Sequence, residues 1–289
     1  MNMWYGDLWF LVALTPLHVG IGRSPSVVDL PIARDSLGYP WIPASSIKGA
    51  VKAACVLREG DGRECYEYYG WDVDRYSVTE PWVSSIVFTD AFLFAFPVRA
   101  IVGGEERIVY IVPESSVRRL NDLCEDIVRC GSCIGRIVVN EEGSKEEVRI
   151  RYFNIGGVKL NLSESLECVM NELPSFVKYI IGEDSSVYVI DDSQARHIIE
   201  AELIRVARIR LDPQRKTVER GALWTEEYVP QATMFVSAVL YRGTRTNRRT
   251  IEPRCAMEFQ KNLLGEINYT LFIGGKETIG KGLVKIIEA

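Results

Sequence analysis

Gly38-Tyr39-Pro40-Trp41-Ile42-Pro43-Ala44-Ser45-Ser46-Ile47-Lys48-Gly49 is the stretch on which the fold reading turns, because it runs into the start of a helix. Ser45 or Ser46 serves as N-cap, and Ile47, Val51, Ala54 and Cys55 fall on one face behind it. A helix start presents unpaired N–H groups and the positive end of the helix dipole. Ser45, Ser46 and Lys48 add donors there, and Gly49 lets another backbone come close. The arrangement suits a phosphate; the same residues also describe an ordinary capped helix.

Toward the N-terminus, Leu8–Leu14 reads as a buried strand, short, apolar and aromatic-rich. Thr15-Pro16 breaks it, and a loop with Gly20, Gly22, Ser24, Pro25 and Ser26 follows. Asp29-Leu30-Pro31 is extended, since proline disfavours helical angles in the residue before it. Asp29 thus lies in a loop between the strand and the helix. A carboxylate there can hold a divalent metal against a phosphate or orient a 2′-hydroxyl, although loop aspartates are commonly structural.

Toward the C-terminus, strands are expected at Ile86–Phe88, Phe92–Phe96 and Ile108–Val112. Ser115 caps a helix with the stripe Val117, Leu120, Cys124 and Ile127, ended by Gly131. Leu166–Ile181 is helical with a break at Pro174, and Gln194–Leu203 is a further helix. Val206–Leu211 alternates, Ala207, Ile209 and Leu211 against Arg208 and Arg210. Asp212–Lys216 turns the chain and Thr217–Arg220 returns it, a hairpin with a basic tip. Leu283–Ile287 closes the chain as a strand. Helices and strands mix throughout, so the class is α+β, one elaborated domain over 1–289.

Before that last strand stands Gly274-Gly275-Lys276-Glu277-Thr278-Ile279-Gly280-Lys281-Gly282. It nearly spells a nucleotide-binding P-loop, but Gly282 replaces the Ser or Thr that would hold magnesium, and a strand follows where a helix is needed. Its exposed amides can still cradle a phosphate; a plain tight connection is the other reading.

The chain has 289 residues, 47% of them hydrophobic, and a net charge of −5. Any binding of a polyanion such as RNA would therefore have to come from local basic surfaces. Two are evident: Arg208, Arg210, Arg215, Lys216 and Arg220 on the hairpin, and Arg242, Arg245, Arg248, Arg249 and Arg254 beyond it, each set also readable as a solvated face. The N-terminus lacks the cationic stretch of a secretory signal, and no apolar run is long enough to span a membrane, so a cytoplasmic protein without a membrane partner is expected. Seven cysteines, at 55, 65, 124, 130, 133, 168 and 255, fit a reduced thiol set. Cys130 and Cys133 make only half a zinc site; a disulfide is the remaining reading. His18 and His197 are the only histidines and read as structural.

Three stretches together resemble the RAMP superfamily of CRISPR proteins. Leu14–Gly22 looks like its opening strand and loop; Gly38–Gly49 is similar to its G-x-P-x-I-P-G-S-S-x-K-G signature, with Ala44 for the usual glycine; Gly274–Gly282 matches its C-terminal glycine-rich motif. Val27–Ile32, Phe88–Ala91 with Phe96–Arg99, and Ala222–Pro230 look like the backbone subunits of type III-B (Cmr) effectors. The resemblance implies a ferredoxin-like, RRM-like core, the palm. Helical insertions would lie at about 55–80 and 115–200, and a β-hairpin thumb at about 206–230. It implies that sheet and thumb hold guide RNA (crRNA) while copies stack into a helical filament with other Cmr complex subunits. The RNA-binding residues it implies are His18, Gly20, Arg23, Ser45, Ser46, Lys48, Arg208, Arg210, Arg215, Lys216, Gly274, Gly275, Thr278, Gly280, Lys281 and Gly282. It further implies cleavage of target single-stranded RNA at Asp29, with Mg2+ or Mn2+ bound there and the RNA's own 2′-hydroxyl attacking. Two alternatives stay open: an inert filament subunit, which would not need a carboxylate at Asp29, and a metal-independent guide-processing ribonuclease using His18.

Overall fold

The computed structural model of the chain describes residues 4–25, 27–60, 62–70, 83–127, 145–150, 153–160, 167–181, 187–246 and 249–289. The apolar run at the N-terminus is β1 (Trp4–Ala13). In chain order there follow β2 (Trp41–Ile42), β3 (Ile86–Phe88), β4 (Ala91–Val102), β5 (Glu105–Pro113), β6 (Lys145–Ile150), β7 (Phe153–Leu160) and β8 (Val187–Ile190). A hairpin of β9 (Ile204–Leu211) and β10 (Val218–Tyr228) precedes β11 (Met234–Arg242), β12 (Thr244–Arg245), β13 (Thr250–Ile251), β14 (Thr270–Phe272) and β15 (Leu283–Glu288).

The main sheet runs β14-β15-β1-β11-β4-β5-β8-β7-β6, with β2 on β4 and β3 on β11. β1 is antiparallel to both neighbours, Trp9 standing opposite Ser237 on one side and Glu288 on the other. α1 (Ala44–Glu59) lies between β1 and β4 in the chain, and the helix Pro253–Glu266 between β11 and β15. The span 115–200, expected to be a helical insertion, also carries strands: β6, β7 and β8 extend the sheet there.

Both faces of the central strands are buried, which is why Leu8–Ala13 is continuously apolar instead of alternating. Trp9, Leu11, Phe235 and Val284 pack with Ile47 and Val51 of α1 and with Leu263 and Leu264. Leu8, Phe10, Val12, Phe94 and Val236 point the other way, onto Val117 and Leu120 of the helix Glu114–Asp122 and onto Val169 and Val177. The sheet surface is therefore covered where the resemblance would lay RNA across it. The loops and the hairpin at its rim are left as the open surfaces.

Two expectations about caps change. α1 begins at Ala44 with no serine cap; Asp90, 46 residues away in sequence, accepts the Ala44 N–H at 2.7 Å. Ser115 does not cap its helix but donates its hydroxyl to Asp192. The thiol set is corrected as well. Cys55 of α1 is disulfide-bonded to Cys65 of α2 (Arg63–Tyr69), their Cα atoms 5.9 Å apart. Cys124 and Cys255 are free thiols; Cys130, Gly131 and Cys133 lie outside the described residues. Among the described residues no helix is long and apolar enough to cross a membrane.

Candidate nucleic-acid interface

Three hairpin arginines are paired with carboxylates. Arg208 Nε reaches Glu226 at 3.3 Å, Arg210 pairs with Glu219, and Arg205 with Glu227 at 3.2 Å and with Glu200. Beside half-buried Arg208, Ile209 and Leu211 are exposed, as are Val218 and Leu223 across the ladder. Carboxylates at positions 219, 226 and 227 neutralise these guanidinium charges. Arg215 and Lys216 at the tip are exposed cations. The second basic run is also engaged. Arg249 pairs with Glu64 and Glu67, Arg254 with Glu258, and Arg242 donates to the Ser84 carbonyl; Arg248 is outside the described residues.

At the hairpin base, Thr225–Tyr228 collects the loops singled out in the sequence. Asp29 is exposed, and its Oδ2 accepts from the Thr225 amide at 2.8 Å and from the Thr225 hydroxyl at 2.9 Å. The Thr225 amide, then its hydroxyl, hold the Asp29 carboxyl below the usual carboxylate range, with Arg23 adding its charge. Leu30 N–H donates to the Thr225 carbonyl and Glu227 N–H to that of Leu30, so the Asp29 loop lies alongside β10.

Glu226 is buried and gathers four donors: Lys276 Nζ at 2.6 Å, Trp224 Nε1 at 2.8 Å, the Tyr228 hydroxyl and Arg208. Burial would raise its pKa, but the bonds from Lys276, Tyr228 and Trp224 bring it down to about 2. Through Lys276 this carboxylate anchors the glycine-rich loop, and Lys281 Nζ sits 5.4 Å from the Tyr228 ring centre. Glu227, also buried, binds Arg34 at 2.9 Å.

His18 sits beneath this surface. Its Nδ1 is 2.7 Å from the Glu227 carbonyl, its ring lies against Tyr228, and its own carbonyl accepts the Gly275 N–H at 2.8 Å. Buried in this way, it props the loops from inside. Gly274 and Gly282 have φ values of +86° and +84°, and a Cβ on either would come within 2.4 Å of a carbonyl oxygen, that of His18 or Ile273. Their need for glycine comes from the chain's own packing. Thr278 and Gly280 face solvent in the turn between them, and β15 follows directly, as the rejection of a P-loop requires. Gly20 bridges to Ile32 in the first loop, and Arg23 is exposed nearby.

The structure thus joins Asp29, Arg23, His18, Arg208 and the glycine loop around one strand segment. Ser45, Ser46 and Lys48 stand at the start of α1, whose first amide already holds Asp90. Thr225, Glu226, Glu227 and Lys276 went unnoticed as site residues. The signal for them was two adjacent acids closing an arginine-rich hairpin. Among the described residues no three His, Cys, Asp or Glu side chains cluster to cage a metal. Asp29 offers one hard oxygen ligand, a donor that suits magnesium or manganese when phosphate oxygens and water complete the shell.

The RAMP superfamily model matches residues 10–285. The chain is 33% identical to the CRISPR system CMR subunit Cmr4 of Saccharolobus solfataricus, over 96% of this chain and 94% of that one. It is 29% identical to the CRISPR system Cmr endoribonuclease Cmr4 of Pyrococcus furiosus, over 96% and 93%. A chain in the cryo-EM structure of the type III-B Cmr-beta complex bound to cognate target RNA superposes with a TM-score of 0.73 at 30% identity, covering 98% of this chain and 97% of its own. Matched from β1 to β15 and in step with such relatives along nearly its whole length, the chain belongs to the RAMP superfamily.

Proposed function

We propose that this chain is a backbone subunit of a cytoplasmic type III-B CRISPR effector, which binds crRNA as copies of it stack with other Cmr subunits, and which cuts the paired target RNA at Asp29. Whole-length similarity to Cmr4 proteins, one of them named an endoribonuclease, supports the assembly and the activity. β15-β1-β11-β4, with α1 and Pro253–Glu266 as crossovers, corresponds to a ferredoxin-like core. Sequence matching is left to guide–target pairing, and the exposed residues of the glycine loop, the α1 start and the hairpin tip contact the guide backbone.

The observation that carries the catalytic assignment is the state of Asp29: exposed, held ionised, with one oxygen taken by Thr225. With its pKa depressed, this carboxylate is a weak proton acceptor at neutral pH. It is suited to hold a cation or to align a 2′-hydroxyl. A bound Mg2+ or Mn2+ ion supplies positive charge to the scissile phosphate. The buried position of His18 favours this reading over a histidine ribonuclease.

The test is Asp29→Asn in assembled complexes. Asn keeps the shape and can still accept from Thr225, so guide binding, target binding and stability stay near native. Target cleavage falls by about 10²–10⁴. Chelators produce the same loss in the native protein, and added magnesium or manganese restores it. Cleavage at the native rate by the Asn variant would assign the chain to inert filament subunits instead.

A further inference from the structure

We propose that Thr225 is a positioning residue for target cleavage, fixing which oxygen of Asp29 faces the RNA. The inference rests on Asp29 being the catalytic residue. Asp29 and Thr225 form a closed ring of contacts. The Asp29 amide donates to Thr225 Oγ1 at 3.0 Å, the same hydroxyl donates to Asp29 Oδ2 at 2.9 Å, and the Thr225 amide donates to Oδ2 at 2.8 Å. The hydroxyl's one proton is committed to the carboxylate, and it accepts in turn from the backbone that carries the carboxylate. Oδ2 is therefore taken twice by Thr225, while Oδ1 has no hydrogen bond to another side chain among the described residues.

Position matters because Asp29 sits in an exposed loop, where an unrestrained side chain would exchange among staggered rotamers. Thr225 is not in that loop. It lies in β10 opposite Ala207 of β9, so the hairpin ladder holds it, and the Leu30 amide bond to its carbonyl fixes the loop to the same point. Threonine suits this task, since its β-branch restricts χ1 and so sets the direction of the hydroxyl. Placement errors of about 1 Å at a reacting group cost about 10²-fold in rate.

Single-turnover cleavage by assembled complexes tests this. Thr225→Val keeps the shape and the backbone amide bond but loses both hydroxyl contacts. It should slow cleavage by about 10–100-fold, as loss of a supporting partner does, with guide and target affinity unchanged. Thr225→Ser keeps the hydroxyl and should recover most of the rate. The double variant Asp29→Asn/Thr225→Val should be no slower than Asp29→Asn, because Thr225 acts only through the carboxylate. Thr225→Ala replaces the valine variant if valine blocks assembly. A native rate in the hydroxyl-free variant, a serine variant as slow as valine, or full additivity in the double variant would each overturn the proposal while a dead Asp29→Asn leaves the catalytic reading intact. Native cleavage by Asp29→Asn overturns both.

Discussion

Glu226→Gln should destabilise the protein at neutral pH and lose that effect in acid. Each Glu226 oxygen serves two donors, Lys276 and Trp224 on one, Tyr228 and Arg208 on the other. Gln turns one of these oxygens into an NH2 group that confronts donors, and it removes the charge that Lys276 and Arg208 neutralise. The native carboxyl is lowered from 4.5 to about 2, which corresponds to about 3 kcal/mol of folding free energy. Lys276 and Arg208 are 30% and 35% exposed and can turn to water, so about 1–3 kcal/mol is the expected loss. A depressed carboxyl stabilises above its unfolded value and ceases to do so as pH falls toward the folded one. Urea unfolding of native and Gln proteins should therefore show the gap at pH 7 and its closure between about pH 4.5 and 2. A gap below about 0.5 kcal/mol at pH 7, or one that persists undiminished in acid, would refute this account of the carboxylate.

Lys48→Ala should weaken guide binding without unfolding the protein, and native affinity should fall steeply with salt as phosphate contacts release counterions; filter binding across a salt series checks both. Shortening 212–217 to a tight turn should leave the fold intact, since those residues are exposed or half-buried, and should disturb the spacing of cleavage products on a sequencing gel. Cys55→Ser should lower stability by about 3 kcal/mol, the chain-entropy value for a closed loop of ten-residue separation, read from denaturant midpoints under oxidising conditions.

The elements built on strong periodicity were legible. Leu8–Val12 could only be a buried strand, and Ile47, Val51 and Cys55 mark the inner stripe of α1. Asp29 could be placed in a loop, and the hairpin at β9 and β10 located, from alternation and turn chemistry. What escaped depended on partners remote in sequence. The α1 cap comes from Asp90, and nothing local distinguishes that from a serine cap at Ser45. Hairpin alternation separates Arg208 and Arg210 from Ile209 and Leu211 but does not say which side faces the body. Buried Glu226 draws Arg208 in at the hairpin base, while Arg210 farther out stays exposed. Continuous apolarity in β1 signalled burial on both faces, yet the helices that cover the second face come from the span that carried no recognised motif.

The four residues Thr225–Tyr228 act as a keystone. Remove their pairing and Asp29, His18 and Lys276 lose their anchors in one stroke, because each is tied to this segment by its own bond. The hairpin tip, by contrast, hangs beyond it and can flex without disturbing them, as the free end of a cantilever moves while its clamp stays still. Motion imposed on the tip by a passing RNA is thus absorbed outboard, and the carboxylate keeps its aim. Opening the clamp itself would release Asp29, His18 and Lys276 together, since each is bonded to this segment.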